Sequence, residues 1–169
     1  MAARRSTEPV TSAEAQLVSY FAQYEPAMAK IGKSLRAKLR ARLPGFFEIV
    51  YLYERQHSLV ISYSPTEHGY EGVCSLALYP DQVHLYFTQG ALLSKSDPKK
   101  LLQGRGKSVR FVVMDRATEF DRPEIEALIV AALKLANLRP DPGAKGSVII
   151  KAEEQKQRAR RTAKGAAAD

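Results

Sequence analysis

Residues 47–64 read FEIVYLYERQHSLVISYS, and this stretch decides the fold class. Two runs rich in β-branched and aromatic residues, 47–53 and 58–64, flank a short polar connection, which is typical of two strands joined by a tight turn. Three more runs of this kind follow along the chain: GVCSLALY from residue 72, VHLYFTQ from residue 83 and KSVRFVVM from residue 107. Consecutive short strands with tight connections predict a five-stranded antiparallel sheet.

Helices are predicted on both sides of the strand region. Thr11 and Glu14 have the spacing of a capping box and predict a helix over about residues 12–25. Pro26 suits the first turn of a second helix, and Asp121 is predicted to cap the last one. The sequence therefore predicts an α+β fold with two N-terminal helices, a five-stranded antiparallel sheet and one C-terminal helix.

The chain of 169 residues is predicted to hold one domain, because domains most often span ~100–150 residues. Residues 12–139 are assigned to this α+β domain, and residues 1–11 to a flexible N-terminus. Residues 140–169 are assigned to a flexible basic tail. Residues 151–169 (KAEEQKQRARRTAKGAAAD) have no apolar periodicity to offset the entropy of ordering them, so this part of the tail is predicted to be disordered.

Cysteine content and hydropathy bear on the compartment. Cys74 is the one cysteine of the chain, so an internal disulfide is excluded, as is typical of proteins in a reducing cytoplasm. No apolar run approaches the ~18 residues that span a bilayer, and no apolar stretch follows Arg4 and Arg5 as it would in a signal peptide. These observations predict a cytoplasmic location and no membrane partner.

The net charge of +8 is distributed unevenly along the chain. Residues 26–46 carry +6 without a single acid, and residues 139–169 carry +4. Residues 1–25 and residues 47–138 each carry −1. Excess positive charge favours an acidic partner such as nucleic acid, and here the excess belongs to one helix and the tail.

The first candidate site is the basic second helix. At 100° per residue, an apolar stripe through Met28 and Leu39 falls on one side, and four cations fall on the opposite side: Lys30, Lys33, Arg36 and Arg40. This arrangement predicts weak binding of nucleic acid or another polyanion by a non-enzymatic binding or adaptor protein. The competing interpretation is an ordinary solvated helix surface.

The second candidate site is the polar face of the sheet. Strand alternation predicts that Val109, Phe111 and Val113 face the core. The opposite face then gathers a half-polar set of side chains that could hold a small ligand, with Lys107 at the start of the fifth strand: Ser62, His84, Tyr86, Lys107 and Arg110. The competing interpretation is the solvated side of an antiparallel sheet.

Several familiar chemistries are disfavoured by spacing. Residues 104–108 (GRGKS) lack the earlier glycine of a phosphate loop, since Leu101 occupies that position, and they open a strand instead of a helix. His57, His68 and His84 have no metal-ligand spacing with one another. No catalytic residue is nominated, and neither a metal nor a cofactor is expected.

Three segments carry a resemblance to a known family. They are VHLYFTQGALL from residue 83, DPKKLLQGRGKSVRF from residue 97 and DRPEIEALIVAAL from residue 121. Together they resemble the YdhG-like family, a bacterial domain family of unknown function. The resemblance implies an α+β fold distantly related to the frataxin-like and YjbR-like groups. Some relatives are described as frataxin-like iron chaperones, so metal handling or small-ligand binding on the polar sheet face is the alternative function.

Overall fold

The computed structural model describes residues 12–69 and 71–151, and its fold is α+β. Two short 3-10 helices, Gly90–Ser96 and Ala117–Asp121, connect the larger elements. Residues 1–11 and 152–169, which include most of the predicted tail, lie outside the described residues. In chain order the elements are α1 (Ala13–Phe21), α2 (Pro26–Arg42), β1 (Phe47–Tyr53), β2 (Ser58–Ser64), β3 (Cys74–Leu78), β4 (Val83–Phe87), β5 (Arg110–Val113), α3 (Pro123–Leu135) and β6 (Val148–Ile150).

The sheet has six strands in the order β5-β4-β3-β2-β1-β6. The first five form the predicted antiparallel meander. The sixth strand was not predicted: it pairs in parallel with β1, placing Ile149 opposite Ile49, so the sheet is mixed. Residues 148–150, which the sequence assigns to the tail, therefore belong to the sheet.

The connection that leads to β6 packs against the turn between α2 and β1. The N–H of Asp141 donates to the carbonyl of Pro44 at 3.1 Å, and the N–H of Glu48 donates to the carbonyl of Ser147 at 3.0 Å. A Cβ atom at Gly146 would lie 1.8 Å from the carbonyl oxygen of Phe46, so only glycine fits there. These contacts hold the edge strand in place despite its short length.

The core lies on one face of the sheet, which we call the inner face. A row of apolar side chains crosses it from β1 to β5: Val50, Ile61, Leu76, Leu85 and Val112. Side chains from all three α-helices pack in the same cluster, among them Leu17, Leu39 and Ile129. The helices thus form one layer against one face, and the opposite surface of the sheet is called the outer face.

The phase of β5 differs from the prediction. Tyr86 pairs with Phe111 and Phe87 pairs with Arg110, and residues directly opposite each other in neighbouring strands share a face. Phe111 therefore lies on the outer face and Arg110 on the inner face, the reverse of what alternation predicted. The strand is apolar at consecutive positions, and the burial of Val112, which is 6% exposed, decides the phase.

The helix caps also differ in detail from the sequence prediction. Ser12 caps α1, since its Oγ accepts from the N–H of Ala15 at 3.1 Å, whereas Thr11 lies outside the described residues. Arg122 precedes α3 in place of Asp121, whose carboxylate accepts from Nζ of Lys38 at 2.7 Å. In the described part of the chain, none of the helices is long and apolar enough to cross a membrane.

Candidate functional site

Arg36 does not face solvent, contrary to the prediction for α2. Its side chain is 10% exposed, and its guanidinium donates to two carboxylates. Nη1 and Nη2 reach the oxygens of Glu14 at 2.7 Å, while Nε reaches Oε2 of Glu48 at 2.8 Å. The hydroxyl of Tyr63 also donates to Glu48, at 3.0 Å. We call these four side chains the buried ion network.

The buried ion network joins four elements of the fold. Glu14 comes from α1, Arg36 from α2, and Glu48 and Tyr63 from β1 and β2. The hydrogen bond from Arg36 holds the pKa of Glu14 below its usual value. Burial, together with the adjacent Glu48 carboxylate, raises the pKa of Tyr63 well above its usual value, so the phenol keeps its proton and remains a donor. Arg36 is therefore committed to the buried carboxylate of Glu48 and the exposed carboxylate of Glu14, and does not present charge to a ligand.

Most of the remaining cations on α2 are also paired. Lys38 contacts Asp121 at 2.7 Å, and Arg42 contacts Glu126 at 2.8 Å. Arg40 lies 3.5 Å from Glu48, although its side chain is 57% exposed. Among residues 12–69 and 71–151, the exposed Lys30 and Lys33 form no ion pair with any carboxylate.

Part of the outer face is covered by the loop between β2 and β3. A Cβ at Gly69 would lie 3.0 Å from the hydroxyl of Tyr51, and one at Gly72 would lie 2.6 Å from Oγ of Ser62. Ile49, which is on the outer face of β1, is completely buried. Ser62, a predicted ligand-binding residue, thus lies beneath this loop.

The other half of the outer face carries four aromatic rings, which we call the aromatic cluster: Tyr79, His84, Tyr86 and Phe111. His84 and Phe111 stack with ring centroids 4.5 Å apart and an interplanar angle of 9°. Tyr86 meets Phe111 at 5.2 Å in a tilted arrangement. The hydroxyls of Tyr79 and Tyr86 are 2.9 Å apart and share a hydrogen bond. Of the predicted ligand-binding residues, His84 and Tyr86 are brought together here.

His84 is largely buried within the aromatic cluster. Its Nε2 lies 2.8 Å from Oε1 of Gln82, and its Nδ1 lies 3.3 Å from the hydroxyl of Tyr86. Burial lowers the pKa of His84, and the charge of Asp81 opposes this only in part. The ring is consequently uncharged at neutral pH and acts as a stacking surface, not as a cation.

The depressed pKa of His84 predicts a loss of stability on mild acidification. The folded state favours the neutral ring, so this contribution is complete above the ordinary value of 6.5 and declines as the pH falls from there toward the lower folded-state pKa. Urea unfolding at about pH 7.5 and about pH 5.5 should show a larger drop for the wild type than for His84→Phe. Equal drops in the two proteins would mean that His84 titrates normally in the folded state.

A second concentration of charge lies in the segment that leads into β5. Residues 95–110 contain six basic side chains and one acidic side chain, for a net charge of +5. We call the basic side chains of this segment the cationic edge: Lys95, Lys99, Lys100, Arg105, Lys107 and Arg110. Lys99 pairs with Glu124, and the Arg110 guanidinium donates to the carbonyls of Gly106 and Val109. The other four are exposed and form no ion pair within the part of the chain that the structure describes.

The cationic edge is held by hydrogen bonds from its own segment. Asp97 accepts from the N–H groups of Leu101 and Leu102 at 2.8 and 3.0 Å, so its carboxylate stabilises the backbone of its own loop. Gln103 forms an antiparallel bridge with Phe111. Between these two residues the chain turns through Gly104, whose φ of 121° favours glycine. Arg105 and Lys107 therefore stand in a defined turn next to the aromatic cluster.

The cationic edge was overlooked in the sequence because charge was counted over residues 47–138 as one block. That block carries −1, which conceals +5 in residues 95–110 and −6 in the remainder. A shorter window would have found it. The aromatic cluster was missed for another reason, since Phe111 was assigned to the core.

The described residues offer little for metal binding or nucleophilic catalysis. Within residues 12–69 and 71–151, no group of three or more His, Cys, Asp or Glu side chains is placed to hold a metal ion. Cys74 is 1% exposed, and burial raises the pKa of its thiol to about 12, so it is protonated and out of reach of a substrate. The arrangement suits the binding of a ligand by aromatic faces and exposed cations.

Comparison with known proteins gives no relative for this chain. No protein-family model matches it, and neither curated proteins nor solved structures contain a significant match. The resemblance to the YdhG-like family stays a prediction.

Proposed function

We propose that this protein is a non-enzymatic binding protein for polyanions and that its binding surface is the cationic edge. The observation that carries the proposal is the set of four exposed cations without a carboxylate partner in the described chain: Lys95, Lys100, Arg105 and Lys107. Unpaired cations on a fixed surface attract phosphate or sulfate groups and release condensed counterions when they bind. Paired cations contribute much less, because a ligand must first displace the carboxylate.

The cationic edge is a better candidate than the basic helix α2. Of the four side chains predicted to bind on α2, Arg36 is buried and Arg40 lies near Glu48, which leaves Lys30 and Lys33. These two lysines lie near Gly32, which packs against Leu78 at the end of β3. The turn of the cationic edge precedes β5, at the opposite end of the strands. The two surfaces can therefore be tested separately.

Charge reversal on the cationic edge should abolish most polyanion binding. Arg105→Glu with Lys107→Glu removes two unpaired cations, and we expect binding of heparin and of a short oligonucleotide to weaken more than about tenfold at low salt. The slope of log affinity against log salt should become shallower by about 0.7 for each cation removed, if the ligand is single-stranded. Fluorescence anisotropy at several salt concentrations measures both quantities, with wild-type dissociation constants expected on the order of 10–100 μM near physiological salt.

Lys30→Glu with Lys33→Glu is the matched control, because it changes the same charge on an exposed surface of α2. We expect it to weaken binding by less than about threefold, through long-range electrostatics alone. If the α2 variant loses as much affinity as the edge variant, the charge of the whole protein drives binding and the site is assigned wrongly. If the wild type shows no salt-sensitive binding at about 20 mM salt, the proposed function fails.

A further inference from the structure

The cationic edge and the aromatic cluster meet in one short hairpin. Phe111 pairs with Tyr86 on one side and with Gln103 on the other, and the turn between Gln103 and Phe111 carries Arg105 and Lys107. A ligand held by these cations would therefore lie next to two partly exposed aromatic rings. The juxtaposition suits a ligand that carries phosphate and planar rings in the same chain.

The aromatic rings are arranged to keep their positions when a ligand binds. Phe111 stacks on His84, and the hydroxyl of Tyr86 is fixed by Tyr79 at 2.9 Å and by His84 at 3.3 Å. Rings that are already ordered lose little conformational entropy on binding. His84 is uncharged, so the cluster provides stacking and the neighbouring turn provides the charge.

Base pairing decides which nucleic acids can use such a surface. In a duplex the faces of the bases are stacked on one another, whereas single strands can place unstacked bases on aromatic side chains. Stacking of this kind tolerates any base, because every base has a π-face. A sulfated sugar polymer has the charge but no planar ring, so it would gain nothing from the aromatic cluster.

We infer that the polyanion is single-stranded nucleic acid, with its phosphates on Arg105 and Lys107 and its bases against Phe111 and Tyr86. This inference rests on the proposed function, since it identifies the class of ligand that the cationic edge would take. It adds a requirement that polyanion binding alone does not have, which is the participation of the aromatic rings. The outer face on the β5 side of the sheet then serves as the platform for the bases.

The test compares three probes on one set of variants. The probes are an oligothymidine of about 15 nucleotides, a duplex of the same length and heparin, at about 50 mM salt. Phe111→Leu keeps an apolar side chain but removes the ring, and Phe111→Tyr keeps the ring. We expect Phe111→Leu to weaken oligothymidine binding about tenfold, because a base can no longer stack on the ring, and to leave heparin binding unchanged. Phe111→Tyr should bind all three probes like the wild type.

The outcomes separate this inference from the proposed function. Equal binding of oligothymidine and duplex by the wild type, with no effect of Phe111→Leu, would overturn the inference and leave polyanion binding standing. Absence of binding to all three probes would overturn both. Urea unfolding of each variant ensures that the comparison is made on folded protein. If Phe111→Leu is not folded at the assay temperature, Tyr86→Phe against Tyr86→Leu makes the same comparison on the neighbouring strand.

Discussion

Replacing Arg36 with methionine should lower the free energy of unfolding by about 3–5 kcal/mol, one of the two largest effects that we expect from a single substitution. Arg36 is 8% exposed, and its guanidinium makes four hydrogen bonds to Glu14 and Glu48. Methionine preserves much of the volume but leaves Glu48, which is 4% exposed, without its main cationic partner. Among the described residues, the buried charge would keep only the exposed Arg40, at 3.5 Å, as a cationic neighbour, and this poor compensation is the physical reason for the size of the effect.

Two further variants show whether the loss comes from the buried ion network. Lys33→Met removes a cation from the same helix at an exposed position without an ion pair in the described chain, and it should change stability by less than about 0.5 kcal/mol. Adding Glu48→Gln to Arg36→Met removes the buried carboxylate charge and keeps an acceptor for the hydroxyl of Tyr63. The double variant should therefore recover a substantial part of the lost free energy of unfolding. Urea unfolding measures all of these. A loss below about 1 kcal/mol in Arg36→Met would mean that Arg36 is solvated.

Ile129→Ala should destabilise the protein by about 2–5 kcal/mol, because it leaves a cavity under α3. Ile129 is 1% exposed and belongs to the central hydrophobic cluster with side chains of α1, α2 and the inner face. The inner face behind it is filled by β-strand residues that cannot move into the space. The cost therefore includes both the lost burial and the cavity.

Val130→Ala is the matched control for this substitution. Val130 is the next residue in α3 and is 37% exposed, so it lies on the other side of the helix. Its replacement should change the free energy of unfolding by less than about 0.5 kcal/mol. If Ile129→Ala and Val130→Ala have similar effects in urea unfolding, the face of α3 that packs on the sheet is misassigned.

The architecture could be predicted from the sequence because its signals are local. The strands β1 to β4 are short apolar runs, with tight polar turns between β1 and β2 and between β3 and β4, and α3 has a complete apolar stripe that includes Ile125 and Ile129. Such patterns depend on residues close together in the chain. The α+β class, the antiparallel meander and the core face of α3 all follow from them.

The parts that were missed depend on partners distant in sequence. Three apolar residues, 148–150, give no periodicity, and their pairing with β1 spans about a hundred positions of chain. In β5, valines at 112 and 113 make both phases acceptable, so tertiary burial decides that Phe111 faces outward. A one-residue change of phase transfers every side chain of a strand to the other face.

The candidate site likewise combines features that local sequence predicts with features that depend on partners distant in the chain. Arg36 was predicted to lie opposite the apolar stripe of α2. At 100° per residue, however, it lies only about 60° from Leu39, and the buried stripe in the structure includes Gly32, Arg36 and Leu39. The sequence does not reveal that Glu14 and Glu48 approach from α1 and β1 to neutralise it. His84 and Tyr86 were identified correctly as outer-face residues, whereas their grouping with Phe111 required the register of β4 and β5.

Amide NMR of the labelled wild-type protein, titrated with oligothymidine of about 15 nucleotides at about 20 mM salt, tests the central claim most directly. We expect the largest shift changes at residues 103–113 and at Tyr86, where the cationic edge meets the aromatic cluster. Lys30 and Lys33 should shift little, because they lie at the other end of the strands on the helical layer. Shift changes concentrated on α2, or none at all, would contradict the account.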